Sequence, residues 1–353
     1  PPRSTLFPYT TLFRSKDKKS TLIDLCKDAT GELLIENIRA CMDPKQLTYL
    51  VINHMEPDHS GAIRSLLEIA PDIILLGSEK TRDMLAAFFD IHDNVQVVTD
   101  GETLALGKHT LHFLSTPMVH WPDNMIAYLP QEKILFSNDA FGQHLATSER
   151  FDDQYRLEII LEEAKKYYAN IVLPYGAQVK KALEAAGGLA IDIIAPSHGI
   201  IWRKHLPVIL ENYRRWSSND TVKKAVIVYD TMWHSTEKMA YALCNAFENN
   251  DYHTVMMHLQ YNHISDIMTE LIDAEFICVG SPTLNNNMLP TVAAFLTYMK
   301  GLAPKGRKGI AFGSFGWGGQ SIGQIEEVMK SCGFTVLEPV RCKYVPKGEM
   351  LGQ

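Results

Sequence analysis

In the second half of the chain, a strand-like apolar run, a polar loop and a helical stretch follow one another in fixed order. Ala225–Tyr229 precedes a helix over Glu237–Phe247, and Thr254–Leu259 precedes one over Ile264–Ala274. Phe276–Gly280 leads to Thr291–Lys300, Gly309–Phe312 to Ile322–Cys332, and Phe334–Val340 closes the series. Each helix returns the chain to the edge it left, so the five strands run parallel in a doubly wound sheet. A ligand of such a sheet sits outside the carboxyl ends of its strands, at the point where strand order reverses.

The first half follows a different rule. Leu47–Ile52 runs into His54, Leu111–Leu114 precedes Pro117–His120, Ile134–Phe136 precedes Asn138–Asp139, and Ile191–Ala195 precedes Ser197–His198. Helical spacing over Gly61–Ala70, Ser78–Phe89, Tyr155–Ala169 and Val179–Ala186 makes this half mixed α/β. Its strand ends therefore deliver a site on their loops. Polar Tyr213–Lys224 reads as the linker between two domains, residues 16–216 and 217–353, which suits a chain of 353 residues.

The net charge of −7 argues against a sequence-independent nucleic-acid binder, and apolar runs such as Ile73–Leu76 are far too short to span a membrane. The six cysteines form no C-x-x-C pair, so neither a zinc ribbon nor a rubredoxin-type iron site is built in. Reduced thiols and the lack of a secretory pattern point to the cytoplasm. Pro1–Ser15, with T-L-F twice around a proline, reads as a non-native leader, the chain stops after Phe334–Val340 where an α/β domain would continue into a helix, and truncation at both ends is expected.

His54-Met55-Glu56-Pro57-Asp58-His59 carries the most chemistry. Pro57 makes Glu56 extended, which excludes a helical H-E-x-x-H site. On an extended segment His54 and Glu56 point the same way and can reach one metal, while Asp58 and His59 can reach a second; Asp58 also suits the cap of a helix beginning near Ser60. His120, Asp139 and His198 complete a set large enough for two metals, with Asp139 free to bridge. A thiolate-free, carboxylate-rich set suits iron better than zinc. His92, His109, His112, His205, His253, His258 and His263 read as structural or solvated, and His144 and His234 only adjoin sites.

In the second half, Thr231-Met232-Trp233-His234-Ser235-Thr236 joins a strand to a helix with hydroxyls at both ends. Backbone N–H groups, the helix dipole and the hydroxyls of Thr231, Ser235 and Thr236 would cradle one phosphate, and no Walker lysine is present. Pro282-Thr283-Leu284-Asn285 and Ser314-Phe315-Gly316-Trp317-Gly318-Gly319 follow the third and fourth strands and would bracket a flat ring, with Trp233 or Trp317 stacked on it. FMN fits that trio of loops.

Both halves together resemble the flavodiiron protein family, also called A-type flavoproteins. The motifs are H-x-E-x-D-H at His54–His59, M-V-H-W-P-D at Met118–Asp123, F-S-N-D-A-F-G at Phe136–Gly142, A-P-S-H-G at Ala195–Gly199 and the three flavin loops. The resemblance implies a metallo-β-lactamase-like αββα sandwich followed by a flavodoxin-like domain. It implies His54, Glu56 and His120 on one iron, Asp58, His59 and His198 on the other, and Asp139 bridging. It further implies reduction of dioxygen to water, nitric oxide to nitrous oxide, or both. Electrons would come from rubredoxin or another soluble donor through FMN. A head-to-tail homodimer, which brings the partner's flavin to the irons, is implied as well. Zinc hydrolases sharing the lactamase fold usually carry His where Glu56 stands. A metal-dependent hydrolase with an FMN module is the alternative, and a truncated FMN carrier without metals the third reading.

Overall fold

A computed structural model describes residues 17–348; the suspected leader Pro1–Ser15 lies outside them. The strands are, in chain order, β1 (Ser20–Ile23), β2 (Leu47–Val51), β3 (Ile74–Gly77), β4 (Val95–Val97), β5 (Thr103–Ala105), β6 (Thr110–Ser115), β7 (Met125–Leu129), β8 (Ile134–Asn138) and β9 (Ile193–Pro196). The second half adds β10 (Val222–Tyr229), β11 (His253–His258), β12 (Ala274–Gly280), β13 (Lys308–Phe315), β14 (Thr335–Val336) and β15 (Val340–Lys343).

Two sheets make up the first unit. The first has the order β1-β2-β3-β4 and is wholly parallel. The second has the order β5-β6-β7-β8-β9 and is antiparallel except where β9 joins β8. Alternation along single strands explains the layering. Leu22, Leu50 and Leu75 face the helices, packing with Leu34, Ile38, Ile63, Leu66 and Leu85, whereas their neighbours Ile23, Val51 and Leu76 face the other sheet. There they meet Phe113, Met125, Ala127, Phe136 and Ala195. Period-two alternation with both faces apolar forces a sheet buried on both sides, here in an αββα sandwich.

The second unit is a parallel sheet of order β11-β10-β12-β13-β14, with β15 also on β13. Lys224 through Tyr229 in β10 are buried, as a central strand covered on both faces requires. The helices Ser235–Glu248, Ile264–Leu271, Pro290–Leu302 and Gln320–Ser331 lie between successive strands.

Three local expectations are corrected. The fifth strand, expected over Phe334–Val340, is split into β14 and β15, because Pro339 has no N–H to continue the ladder. The stretch expected as a linker is helical through Ser218. Leu206, Ile209, Tyr213 and Trp216 recur at three- and four-residue intervals and are buried, and that spacing overrides the polar composition. Asp58 lies inside the short helix Pro57–Ser60, with Glu56 at its cap position, because Pro57 is pre-set for the first helical turn.

The contacts also assign Tyr168–Gly176 to the second unit. Asn170 explains this, since it donates to the Ser265 carbonyl at 3.1 Å and accepts from the Tyr298 hydroxyl at 2.9 Å.

Arg307 anchors the second unit from within. Fully buried, it donates to the carbonyls of Asn219 (2.9 Å), Lys305 (2.8 Å) and Ile272 (2.6 Å), and burial brings its pKa down to about 10. Arg307→Met removes the donors and leaves buried acceptors unpaired, a cost on the order of 3 kcal/mol. Urea unfolding followed by tryptophan fluorescence should show that loss, and an unchanged midpoint would contradict the anchoring role.

Candidate metal centre and flavin loops

Five of the metal-ligating candidates lie in the connections that follow strands and two, Asp58 and His59, in the short helix Pro57–Ser60, and the fold brings all seven together in two groups. His54, Glu56, His120 and Asp139 offer one ligand atom each, all within 4.8 Å of one another, and Asp58, His59 and His198 form the second group by the same measure. Asp139 joins the two. Its Oδ2 lies 3.2 Å from His120 Nε2 and 3.6 Å from His54 Nε2, while its Oδ1 lies 3.0 Å from His59 Nε2 and 3.1 Å from His198 Nε2. Glu56 closes the first group at 3.3 Å from His54 and 3.2 Å from His120; Asp58 closes the second at 3.3 Å from His198.

At Asp139 the close approach is not ordinary hydrogen bonding. No donor is aligned on either oxygen of buried Asp139, despite the surrounding imidazole nitrogens, and His59 and His198 point Nε2 atoms at each other across 3.3 Å. Seven donors that converge from separate stretches of chain, with both oxygens of Asp139 left unpaired, fit the donor set of a metal pair. Four nitrogens and three carboxylates, without a thiolate, fit iron.

Supporting residues fix the rings. Asp123 is buried, accepts the Met55 N–H at 2.7 Å, and places both oxygens 3.3 Å from His54 Nδ1, which leaves Nε2 for the site. Asp24 accepts from the Asn53 backbone at 2.7 Å and its side-chain amide at 3.1 Å, holding the same loop from the other side. Sequence reasoning assigned neither role. Asp24 could have been found as one more acidic residue directly after an apolar strand. Tyr167 and His144 also back the site, with rings 5.8 and 5.6 Å from that of His198.

Electrostatics follow from burial and charge. Burial alone would lower His54, His120 and His198, but the carboxylates outweigh it and hold His54 at about 10 and the other two at about 9. Hydrogen bonds from His120 and His54 draw Glu56 down to about 2. Burial pushes Asp139 up, yet the imidazoles around it keep the carboxyl well below the usual range.

The flavin loops also converge. Thr231–Thr236 follows β10, Pro282–Asn285 follows β12, and Ser314–Gly319 spans the end of β13 and the loop after it. Thr236 and Ser314, both buried, bring their hydroxyls within 3.4 Å, and the Thr283 N–H donates to the Ser314 carbonyl at 3.1 Å. The helix Ser235–Glu248 has no side-chain cap, since His234 takes a left-handed conformation, and the buried Thr231 hydroxyl has no partner. An uncapped helix N-terminus with hydroxyls beside it fits a phosphate monoester. Trp233 and Trp317 stand 83% and 94% exposed, with Met232 also exposed, so both indoles can cover a planar ring.

The sign of the pH dependence follows for metal-free protein. Imidazoles raised above their ordinary 6.5 stabilise the fold fully below that pH, and lose this contribution as pH rises through 9 and 10. Glu56, lowered from 4.5 to about 2, contributes above 4.5 and loses it as pH falls through 2. The cluster therefore stabilises the apo-protein most between these two limits. The denaturation midpoint of chelated protein should fall between about pH 6 and about pH 9.5, and metal should restore more stability at the higher pH because it replaces protons. A rise in the metal-free midpoint over that interval would contradict the assignment.

Comparison with known proteins agrees with this architecture. Residues 8–199 match the family described as ODP family beta lactamase, and residues 227–352 match Flavodoxin. The chain is 44% identical to a nitric oxide reductase of Moorella thermoacetica, over 95% of this chain and 85% of the relative. It is 43% identical to the rubredoxin-oxygen oxidoreductase of Megalodesulfovibrio gigas, over 97% and 87%. The crystal structure of the flavodiiron protein from Giardia intestinalis superposes with a TM-score of 0.93 at 34% identity, covering 96% of this chain and 84% of that one. With both halves matched in order and relatives of this identity aligned nearly end to end, the chain belongs to the flavodiiron protein family.

Proposed function

We propose that the protein is a cytoplasmic flavodiiron oxidoreductase that reduces dioxygen to water, nitric oxide to nitrous oxide, or both, drawing electrons from rubredoxin or a similar soluble donor. The observation that carries this reading is the division of seven donors into two groups joined through the two oxygens of Asp139. His54, Glu56 and His120 would hold one iron, Asp58, His59 and His198 the other, and Asp139 both. Thr231, Ser235 and Thr236 would hold the FMN phosphate, with Met232 and His234 in the same loop, while Pro282–Asn285 and Ser314–Gly319 would border the ring.

Two ferrous ions and reduced FMN together supply four electrons, the number that takes dioxygen and four protons to two waters; coupling two nitric oxide molecules to nitrous oxide and water takes two. The chain's own residues set the conditions. Asp123 orients His54, and Asp24 keeps the Asn53–Met55 loop in register. Glu56 adds a negative charge to the first group, which favours iron over zinc. The relatives' names favour an oxidoreductase over a hydrolase. No helix among the described residues is long and apolar enough to cross a membrane, which accords with a soluble donor. A head-to-tail homodimer would bring one protomer's flavin to the other's irons, and the exposed Trp233 and Trp317 suit such an interface.

Protein purified anaerobically should carry about two irons and one FMN per chain and consume dioxygen or nitric oxide when fed by reduced rubredoxin; zinc without flavin would defeat the proposal. Glu56→His should shift metal content from iron toward zinc and lower turnover, as elemental analysis beside a gas-electrode assay would show. Activity should also depend on dimer, and a fully active monomer in sedimentation would rule the dimer out.

A further inference from the structure

A cavity of about 190 Å³ lies within the first unit, between the outer face of the second sheet and two helices. Ile126 and Leu135 of the sheet face Val179 and Leu183 of the helix Gly176–Ala186, with Leu210 of the helix Leu206–Ser218 completing the walls. Ala186, Gly187 and Arg214 also line it, and the last two are exposed. Val119, Ser137, Ala140 and Phe141 belong to the same lining. Val119 is the chain neighbour of His120, and Ala140 is the neighbour of Asp139. The cavity wall and the loops that carry the metal ligands are therefore the same stretches of backbone.

The polar side chains on the wall have partners within the protein. Thr116 donates to the Asn124 side chain at 3.1 Å, Asn124 donates to the Val119 carbonyl, and Ser137 donates to the Ala140 carbonyl at 2.7 Å. The Tyr213 hydroxyl takes the Phe141 N–H at 2.6 Å, and the Arg214 guanidinium lies 3.4 Å from Glu211. Water needs two to four polar partners to stay in a cavity, and a dry apolar space of about 150 Å³ takes up xenon. A liquid water occupies about 30 Å³, so the volume here holds several diatomic molecules.

We propose that this cavity gathers the diatomic substrate from solvent and delivers it to the metal-bearing loops. Dioxygen and nitric oxide are small and nearly apolar, so they leave water for such a lining without needing a polar contact. Water and ions, which do need one, stay out. The inference rests on the gas-reductase reading above, and its test separates the two.

Crystals of the iron- and FMN-loaded protein under xenon pressure should show xenon between Leu135 and Leu183. Ala182 and Ala186 line the cavity, so Ala182→Leu and Ala186→Phe put bulk into it; either variant should keep iron, FMN and kcat while kcat/KM for the gas falls about threefold or more. Thermal melting identifies a variant that merely misfolds, and the other then carries the test. Absence of xenon, a bulky molecule already seated in the cavity, or unchanged kcat/KM in a folded variant overturns delivery while leaving the reductase reading intact. Wild-type protein that carries both cofactors yet turns over neither gas overturns the reductase reading, and the delivery role with it, whatever xenon does.

Discussion

Asp139 is the point on which the first unit turns. A carboxylate buried away from water must be compensated by positive charge, and here that charge can come only from what gathers at its two oxygens. Four imidazoles approach it from loops separated by up to about 140 residues of chain, so the strands that launch those loops must be in correct register before the charge is satisfied. The αββα sandwich supplies that register through its inter-sheet core, and the carboxylates of Asp24 and Asp123 secure the loop between. Folding and metal capture would thereby be coupled: protons can neutralise the cluster, but they place like-charged rings side by side, whereas two cations would satisfy nitrogen and oxygen donors at once.

The two sites use opposite physical strategies. The metal centre is built from ionisable side chains held by further ionisable side chains, so its integrity depends on charge. The flavin loops rely on backbone N–H groups, hydroxyls and a helix start, a neutral cradle that offers hydrogen bonds to an anion without a lysine to neutralise it. Hydroxyl contact between Thr236 and Ser314 ties the loops of two separate strands together without adding charge.

Much of this was legible in the residues. Each metal candidate stands shortly after an apolar run in the sequence, and strand-helix alternation alone implies the second sheet. What escaped did so for identifiable reasons. Asp24 follows a strand as the metal candidates do but has no histidine beside it in sequence, and only the third dimension puts it beside Asn53. Asp123 lay within a recognised motif, but its pairing with His54 spans 69 positions. The helix through Ser218 was hidden because Arg214, Arg215, Ser217 and Ser218 dilute a periodicity that only the burial of Tyr213 and Trp216 reveals. Nothing local shows that Asn170 docks on Ser265, so the assignment of Tyr168–Gly176 to the second unit had no signature in the sequence.

The divided strand at the margin of the flavodoxin-like sheet has a consequence for how these molecules behave in a crowded solution. Two residues of ladder, a charged Glu338, a proline, and then a fresh start at Val340 leave no long, straight rail of free amides along that side. A neighbouring copy seeking to extend the sheet would find its zipper broken after one or two teeth, so intermolecular β-addition is discouraged on that flank without a covering helix.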